Sequence, residues 1–196
     1  MNSTPVSATD LSGRRVLVGI TGGIAAYKTA TLVSRLAQAG ADVTVCMTES
    51  ATRFITPLTL QALSANPVYT SPWEHIESRD PQHIALATRA DAIVVAPCTM
   101  NTMAKLATGL TDDVVTLMLS AVDPASTPVL LAPAMNEVMW ARPANQRNLE
   151  TLRGDGYRFI GPEEGWQACR AVGPGRMSEP EDILAAVTRL ILDPAR

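Results

Sequence analysis

The chain has 196 residues, 46% of them hydrophobic, 18% charged and only 4% aromatic. That is enough for one domain whose core is filled mainly by aliphatic side chains. A small, evenly spread net charge of −3 argues against a nucleic-acid-binding surface, and no run reaches the roughly 18 apolar residues of a membrane span. Residues 1–13, MNSTPVSATDLSG, lack the basic and apolar regions of a signal peptide. They read as a flexible leader before a domain over residues 14–196. Three cysteines, an odd number with no secretory signal, favour free thiols in a reducing cytoplasm.

Taken in order, strand-like runs alternate with helix-like ones. Arg15–Ile20 is a short apolar run followed by the turn Thr21-Gly22-Gly23. Ile24–Ala39 carries Leu32, Val33, Leu36 and Ala37 on one stripe, with Gly40 as its stop, and predicts a helix. Asp42–Met47 predicts a strand, Pro57–Ser64 a short helix and Val68–Tyr69 a short extended piece. Asp91–Ala96 predicts a buried strand closed by Pro97. Helices are expected over Asn101–Ala107 and Asp113–Ala121, and a buried strand over Pro128–Ala132. Glu137–Arg153 reads as mostly helical despite Pro143, and Tyr157–Ile160 as a last strand. Glu179–Leu192 reads as a closing helix, with Ser178 as its N-cap and Pro180 in its first turn. Continuous apolar strands alternating with helices imply a parallel sheet covered on both faces. Ligands in such sheets bind beyond the carboxyl ends of the strands.

That rule picks out Thr21–Ala26, Thr48–Phe54, Pro97–Thr102 and Pro133–Trp140, each directly after a strand, and four constellations could carry chemistry. In GITGGIAAYKTA the glycines between strand and helix let backbone N–H groups close on a phosphate; a tight turn needing left-handed glycines is the plainer reading. The spacing is not G-x-G-x-x-G, and Glu49, behind Thr48, is a weak ribose partner. A mononucleotide therefore suits the turn better than NAD. In APCTMNTMAKLATGLTDD, Thr and Asn crowd a helix start. Capping explains one of them; the cluster could also match a flavin edge. In APAMNEVMW, Asn136 could cap a helix, and Met135 and Met139 are commonly core filler. GWQACRAVGPGRMSEP predicts a mobile, lid-like loop over Gly165–Pro180, and Cys169 within it is a better reactive candidate than the strand residue Cys46. With only His75 and His83, no Cys/His metal site can be assembled.

Together these segments resemble the homo-oligomeric flavin-containing cysteine decarboxylases, from about Arg14 to Leu192. The family's PASANT motif is similar to Pro97-Cys98-Thr99-Met100-Asn101-Thr102, and its PxMNxxMW motif matches Pro133–Trp140 in full. The clamp motif ACGDxGxGRMxEP matches Ala168-Cys169 and Gly173–Pro180, and the family's His-Ile matches His83-Ile84. The resemblance implies an α/β, single-domain Rossmann-like three-layer fold with a mostly parallel sheet. It implies FMN as cofactor, with Gly22, Gly23, Ile24, Thr48 and Ser50 on the phosphate side. Thr99, Met100, Asn101, Thr102 and Ala134 would face the ring. Asn136 and Met139 would hold a substrate ending in cysteine. It also implies a trimer or a multiple of trimers, with His83 entering the site of a neighbouring subunit.

The activity implied is decarboxylation of phosphopantothenoylcysteine to phosphopantetheine in coenzyme A synthesis. A plain cysteinyl carboxylate leaves a carbanion with nowhere to delocalise, and flavin oxidation of the C–S unit to a thioaldehyde supplies the electron sink. Carbon dioxide loss and re-reduction then give the thiol, with His83 serving the oxidation and Cys169 supplying the final proton. The chain departs from the pattern at Cys98-Thr99-Met100, where the family has Ala-Ser-Ala, and at Arg170-Ala171, where it has Gly-Asp. Peptidyl-cysteine decarboxylation, flavin prenyl transfer and a non-catalytic regulatory role are the alternative readings.

Overall fold

The computed structural model describes residues 10–73 and 82–193. The main sheet has six strands, β1 (Arg15–Ile20), β2 (Asp42–Met47), β3 (Val68–Tyr69), β4 (Ala92–Cys98), β5 (Val129–Pro133) and β6 (Arg158–Phe159). Their spatial order is β3-β2-β1-β4-β5-β6, and every pairing is parallel. This is the Rossmann-like arrangement, with a strand-order reversal between β1 and β4.

Eight helices are distributed along the described residues: α1 (Ala26–Gln38), α2 (Pro57–Ser64), α3 (Gln82–Arg89), α4 (Met100–Thr108), α5 (Val114–Ser120), α6 (Glu137–Trp140), α7 (Pro143–Gly154) and α8 (Pro180–Leu192). Successive strand side chains point to opposite faces, so the sheet feeds two cores. Val16, Val18 and Ile20 join Leu32 and Leu36 of α1, Leu60 of α2 and Ile183 of α8. Leu17, Ile93 and Val95 join Met103 of α4, Val115 and Met118 of α5, and Leu149 of α7. Burying both sides of the central strands β1, β4 and β5 accounts for their unbroken apolar runs.

Several boundaries differ from the sequence reading. Leu11, assigned to the leader, is fully buried, and its N–H donates to the Ala39 carbonyl at 2.7 Å; the packed chain therefore begins before residue 14. Helix α1 starts at Ala26 rather than Ile24, because the glycine turn takes up the intervening residues. Pro97 does not close β4, which runs on to Cys98 through a register shift in its pairing with β5. Pro143 does divide the Glu137–Arg153 stretch, standing at the first turn of α7 after the short α6, where its missing N–H costs nothing. The N-cap of α8 is Glu179, without a side-chain bond, while the Ser178 hydroxyl is buried and unpartnered among the described residues. The segment expected as a mobile loop instead forms an antiparallel hairpin, β7 (Glu163–Trp166) and β8 (Val172–Arg176).

Candidate active site

The crevice opens where β1 and β4 lie side by side. Thr21, at the end of β1, is buried; its hydroxyl donates to the Pro97 carbonyl at 2.6 Å and accepts from the Thr99 N–H at 3.1 Å. Thr29 of α1 donates to the Ala96 carbonyl at 2.7 Å. These two threonines pin the end of β4 to the first helix. Thr99 then caps α4, accepting from the Thr102 N–H at 3.4 Å, and the two hydroxyls lie 3.1 Å apart. Asn101, one turn position along, is exposed, and its carboxamide has no partner among the described residues.

The first turn forms the adjoining wall. The N–H of Gly23 bonds to the Thr21 carbonyl and that of Ala26 to the Gly23 carbonyl. Those of Gly22, Ile24 and Ala25 have no acceptor among the described residues, so they stand free at the positive end of α1. Gly22 is required by close approach: a Cβ there would run into the Ser50 Cβ and lie 3.1 Å from the Ser50 carbonyl carbon. The Ser50 loop is itself ordered by Thr48, whose hydroxyl accepts from the Ala51 N–H at 3.2 Å.

Charged groups ring the opening. The Lys28 ammonium lies 2.8 Å from Glu179, and Arg176 bridges Glu179 at 2.8 Å and Glu163 at 2.9 Å. The hydrogen bond from Lys28 is the chief reason that the Glu179 carboxyl is held below its ordinary range; slight desolvation opposes it, and the Lys28 and Arg176 charges reinforce it. Lys105 contacts Asp112 at 2.6 Å and Asp113 at 2.8 Å. Its desolvation is outweighed by those two bonds, which hold the ammonium above its ordinary value.

The hairpin closes the site from the third side. Its turn is built as a three-residue loop: the Gln167 N–H bonds to the Ala171 carbonyl and the Arg170 N–H to the Gln167 carbonyl, both at 2.9 Å. Arg170 takes the left-handed conformation with φ 66°, as the last residue of such loops does. The hairpin docks on the β5–α6 connection through the Met135 N–H and the Gly175 carbonyl at 3.0 Å. Asn136 caps α6, its Oδ1 accepting from the Val138 N–H at 2.8 Å. That bond fixes the amide so that Nδ2 donates to Cys169 Sγ at 3.1 Å.

Together these walls enclose a cavity of about 1310 Å³, larger than the roughly 300–1,000 Å³ of common small-molecule sites. It is lined by Gly22, Gly23, Ile24, Thr48 and Ser50 on one side, and by Thr99, Met100, Asn101 and Thr102 on the next. Ala134, Asn136, Met139 and Cys169 complete it. His83 does not line it; it sits half-exposed on α3. His75 falls outside the described residues. Of the three free thiols only Cys169 is exposed; burial pushes the Cys46 and Cys98 thiols far up. Sequence reasoning missed Lys28, Lys105 and the buried Gln167 as cavity residues. Gln167 could have been singled out as a polar residue inside an otherwise glycine-rich clamp. The two lysines carry no signal beyond helical spacing.

An α/β crevice at a strand-order reversal, with free amides at a helix start, is the kind of site that takes a nucleotide cofactor, and here a hairpin brings a thiol to its edge. The chain belongs to the Flavoprotein family, whose model matches residues 5–192. It is 51% identical over 174 residues to the coenzyme A biosynthesis bifunctional protein CoaBC of Bacillus subtilis (strain 168), covering 89% of this chain and 42% of that protein. The CoaBC of Escherichia coli (strain K12) is 45% identical over 174 residues, with the same coverage of 89% and 42%. The chain thus spans under half the length of these relatives. Among solved structures it is similar to a PPC decarboxylase mutant complexed with pantothenoylaminoethenethiol, with a TM-score of 0.80 and 34% identity over 89% of this chain and 96% of that one. The FMN-dependent cysteine decarboxylase SpaF gives a TM-score of 0.79 and 30% identity, over 92% of this chain and 98% of SpaF.

Proposed function

We propose that this chain is an FMN-dependent decarboxylase that converts phosphopantothenoylcysteine to phosphopantetheine. The observation that carries the reading is the Asn136–Cys169 contact of 3.1 Å at the edge of a cavity whose other walls suit a flavin mononucleotide. The donor set fits that cofactor. The free N–H groups of Gly22, Ile24 and Ala25 at the α1 start suit a phosphate, and the unpartnered Asn101 carboxamide offers both a donor and an acceptor to a ring edge. The absence of a G-x-G-x-x-G turn fits a mononucleotide better than a dinucleotide.

When bound, FMN supplies a hydride acceptor and donor, which gives the cysteinyl C–S unit an electron sink for carbon dioxide loss. The chain's own residues do the rest. Thr99 and Thr102 fix the start of α4, so Asn101 is presented from a capped, rigid turn. Asn136 Nδ2 is the donor for the substrate carboxylate, and Met139, exposed at the rim, packs against the substrate's apolar part. Cys169 Sγ, within reach of the same amide, holds the proton that finishes the product. The hairpin limits water access from its side.

His83 lies on α3 and does not line the cavity of its own chain, and we assign it to the site of a neighbouring copy in a trimer or a multiple of trimers. Three free thiols fit a reducing cytoplasm. The test is direct: purified protein is denatured and its released cofactor identified, then the reconstituted protein is incubated with phosphopantothenoylcysteine and the mixture followed by mass spectrometry. FMN release and a product lighter by carbon dioxide are expected. No flavin uptake, or flavin without carbon dioxide loss, rejects the reading.

A further inference from the structure

Gln167 is a buried polar side chain in a hairpin whose neighbouring residues Trp166, Ala168, Cys169 and Arg170 are exposed. Burying a carboxamide is costly unless each end is bonded, and this one is bonded at both. Its Nε2 donates to the Gly173 carbonyl at 3.1 Å and to the Pro174 carbonyl at 3.0 Å, across the hairpin. With both donors committed, Oε1 has a fixed direction. It faces the Glu137 N–H at 3.3 Å, the Cys169 thiol at 3.4 Å and Asn136 Nδ2 at 3.5 Å. One amide therefore touches β8, the first turn of α6 and the two side chains of the Asn136–Cys169 pair.

We propose that Gln167 is a positioning residue that sets the orientation of the Cys169 thiol, and that it does so in opposition to Asn136. Asn136 donates a hydrogen bond to the sulfur; Gln167 accepts one from it. In general a hydrogen-bond donor aimed at a sulfur stabilises negative charge that builds on it, whereas an acceptor oxygen beside it engages the S–H instead. The proposal rests on the reading above only where it assigns Cys169 the final proton transfer; the geometry around the sulfur stands without it.

The opposition gives a test that simple loosening of the hairpin would not mimic. Gln167→Met fills similar volume without polar atoms, and Asn136→Ala removes the donor. With the FMN-loaded protein and no substrate, iodoacetamide labelling of Cys169 is timed by peptide mass spectrometry at one neutral pH. Labelling is expected to rise at least threefold in Gln167→Met and to fall at least threefold in Asn136→Ala. Gln167→Glu, which keeps an acceptor beside the sulfur, should not show the rise. Movement of Gln167→Met and Asn136→Ala in the same direction, or no change in Gln167→Met, overturns the proposal. A second measurement follows phosphopantothenoylcysteine in a single turnover: Gln167→Met should release carbon dioxide within about threefold of the wild-type rate but form the reduced thiol at least tenfold more slowly. Equal slowing of both halves also overturns it. If neither wild type nor variant releases carbon dioxide while the labelling rates diverge as expected, the proposed function fails and the positioning role stands.

Discussion

The Cys169 sulfur and the Asn136 side-chain nitrogen are 3.1 Å apart, although 33 residues separate them in the chain. The contact exists because the hairpin folds back on the β5–α6 connection, and it brings the candidate acid to the candidate carboxylate holder. Cys169→Ser should accordingly split the reaction. Carbon dioxide loss does not need the thiol, but the final protonation does, and a serine hydroxyl is a far poorer acid. The variant should bleach its flavin once and accumulate a product two hydrogens short of phosphopantetheine, measured by absorbance and mass. Normal turnover in Cys169→Ser would mean the proton comes from elsewhere.

Gly22→Ala should damage cofactor retention before it damages the fold. The added methyl meets the Ser50 Cβ and backbone, so one of two loops lining the phosphate side must move. Overpacking of this kind costs about 1–3 kcal/mol. A lower melting temperature and loss of FMN on gel filtration are expected. Retention of FMN at the wild-type level would show that the turn yields without disturbing the amides.

His83→Asn separates binding from turnover in the proposed shared site. Because His83 does not line the cavity of its own chain, the variant should bind FMN normally, and activity should be abolished. Mixing His83→Asn subunits with Cys169→Ser subunits should restore part of the activity if the two residues act in the same site from different chains. No recovery in mixed assemblies, shown by mass to contain both subunits, would place both residues in one chain's site.

Much of this architecture is legible in the residues, and the failures share a cause. β1 and β2 have the expected limits because apolar runs bounded by turn residues leave little choice, and the site follows because parallel sheets bind ligands at their carboxyl ends. Pro97 misled because a proline is a strand breaker only where its N–H is needed; here it sits at an irregularity of the ladder. The hairpin was hidden because Gly165, Gly173, Pro174 and Gly175 carry no alternating pattern. Its pairing is held instead by Gln167 and by docking on Met135. The cation–carboxylate ring of Lys28, Glu179 and Arg176 was equally hidden, since it joins residues 151 positions apart.

That ring predicts a pH dependence. Glu179 has its carboxyl held below the ordinary 4.5, chiefly by the hydrogen bond from Lys28. A carboxylate depressed in the folded state adds stability above its unfolded value, and the addition is lost as pH falls through the folded one. The pair is partly exposed, so solvent screening keeps the effect modest. Lys28→Met should therefore be less stable than wild type at neutral pH, and the two should converge as pH falls through the depressed Glu179 value, which lies below the ordinary one. Denaturant midpoints across that range measure it. A gap that persists unchanged in acid would assign the loss to the packing of the lysine stem.

Arg170 occupies the left-handed region at φ 66°, in the loop position where the resembling family carries glycine. A non-glycine residue there costs about 1 kcal/mol or more, and β-branched residues fare worst. Against that relief, a glycine at residue 170 adds freedom to the unfolded chain worth about 0.4–1 kcal/mol. Arg170→Gly should thus be neutral or slightly stabilising, whereas Arg170→Val should loosen the turn. The effect is local, so it is read at the Gln167 amide, whose N–H is held by the Ala171 carbonyl at 2.9 Å. Hydrogen exchange there should be unchanged or slower in Arg170→Gly, and about fivefold to tenfold faster in Arg170→Val. Faster exchange in Arg170→Gly would mean that the guanidinium itself braces the hairpin, and that the arginine stands at this position for a contact rather than in spite of its backbone.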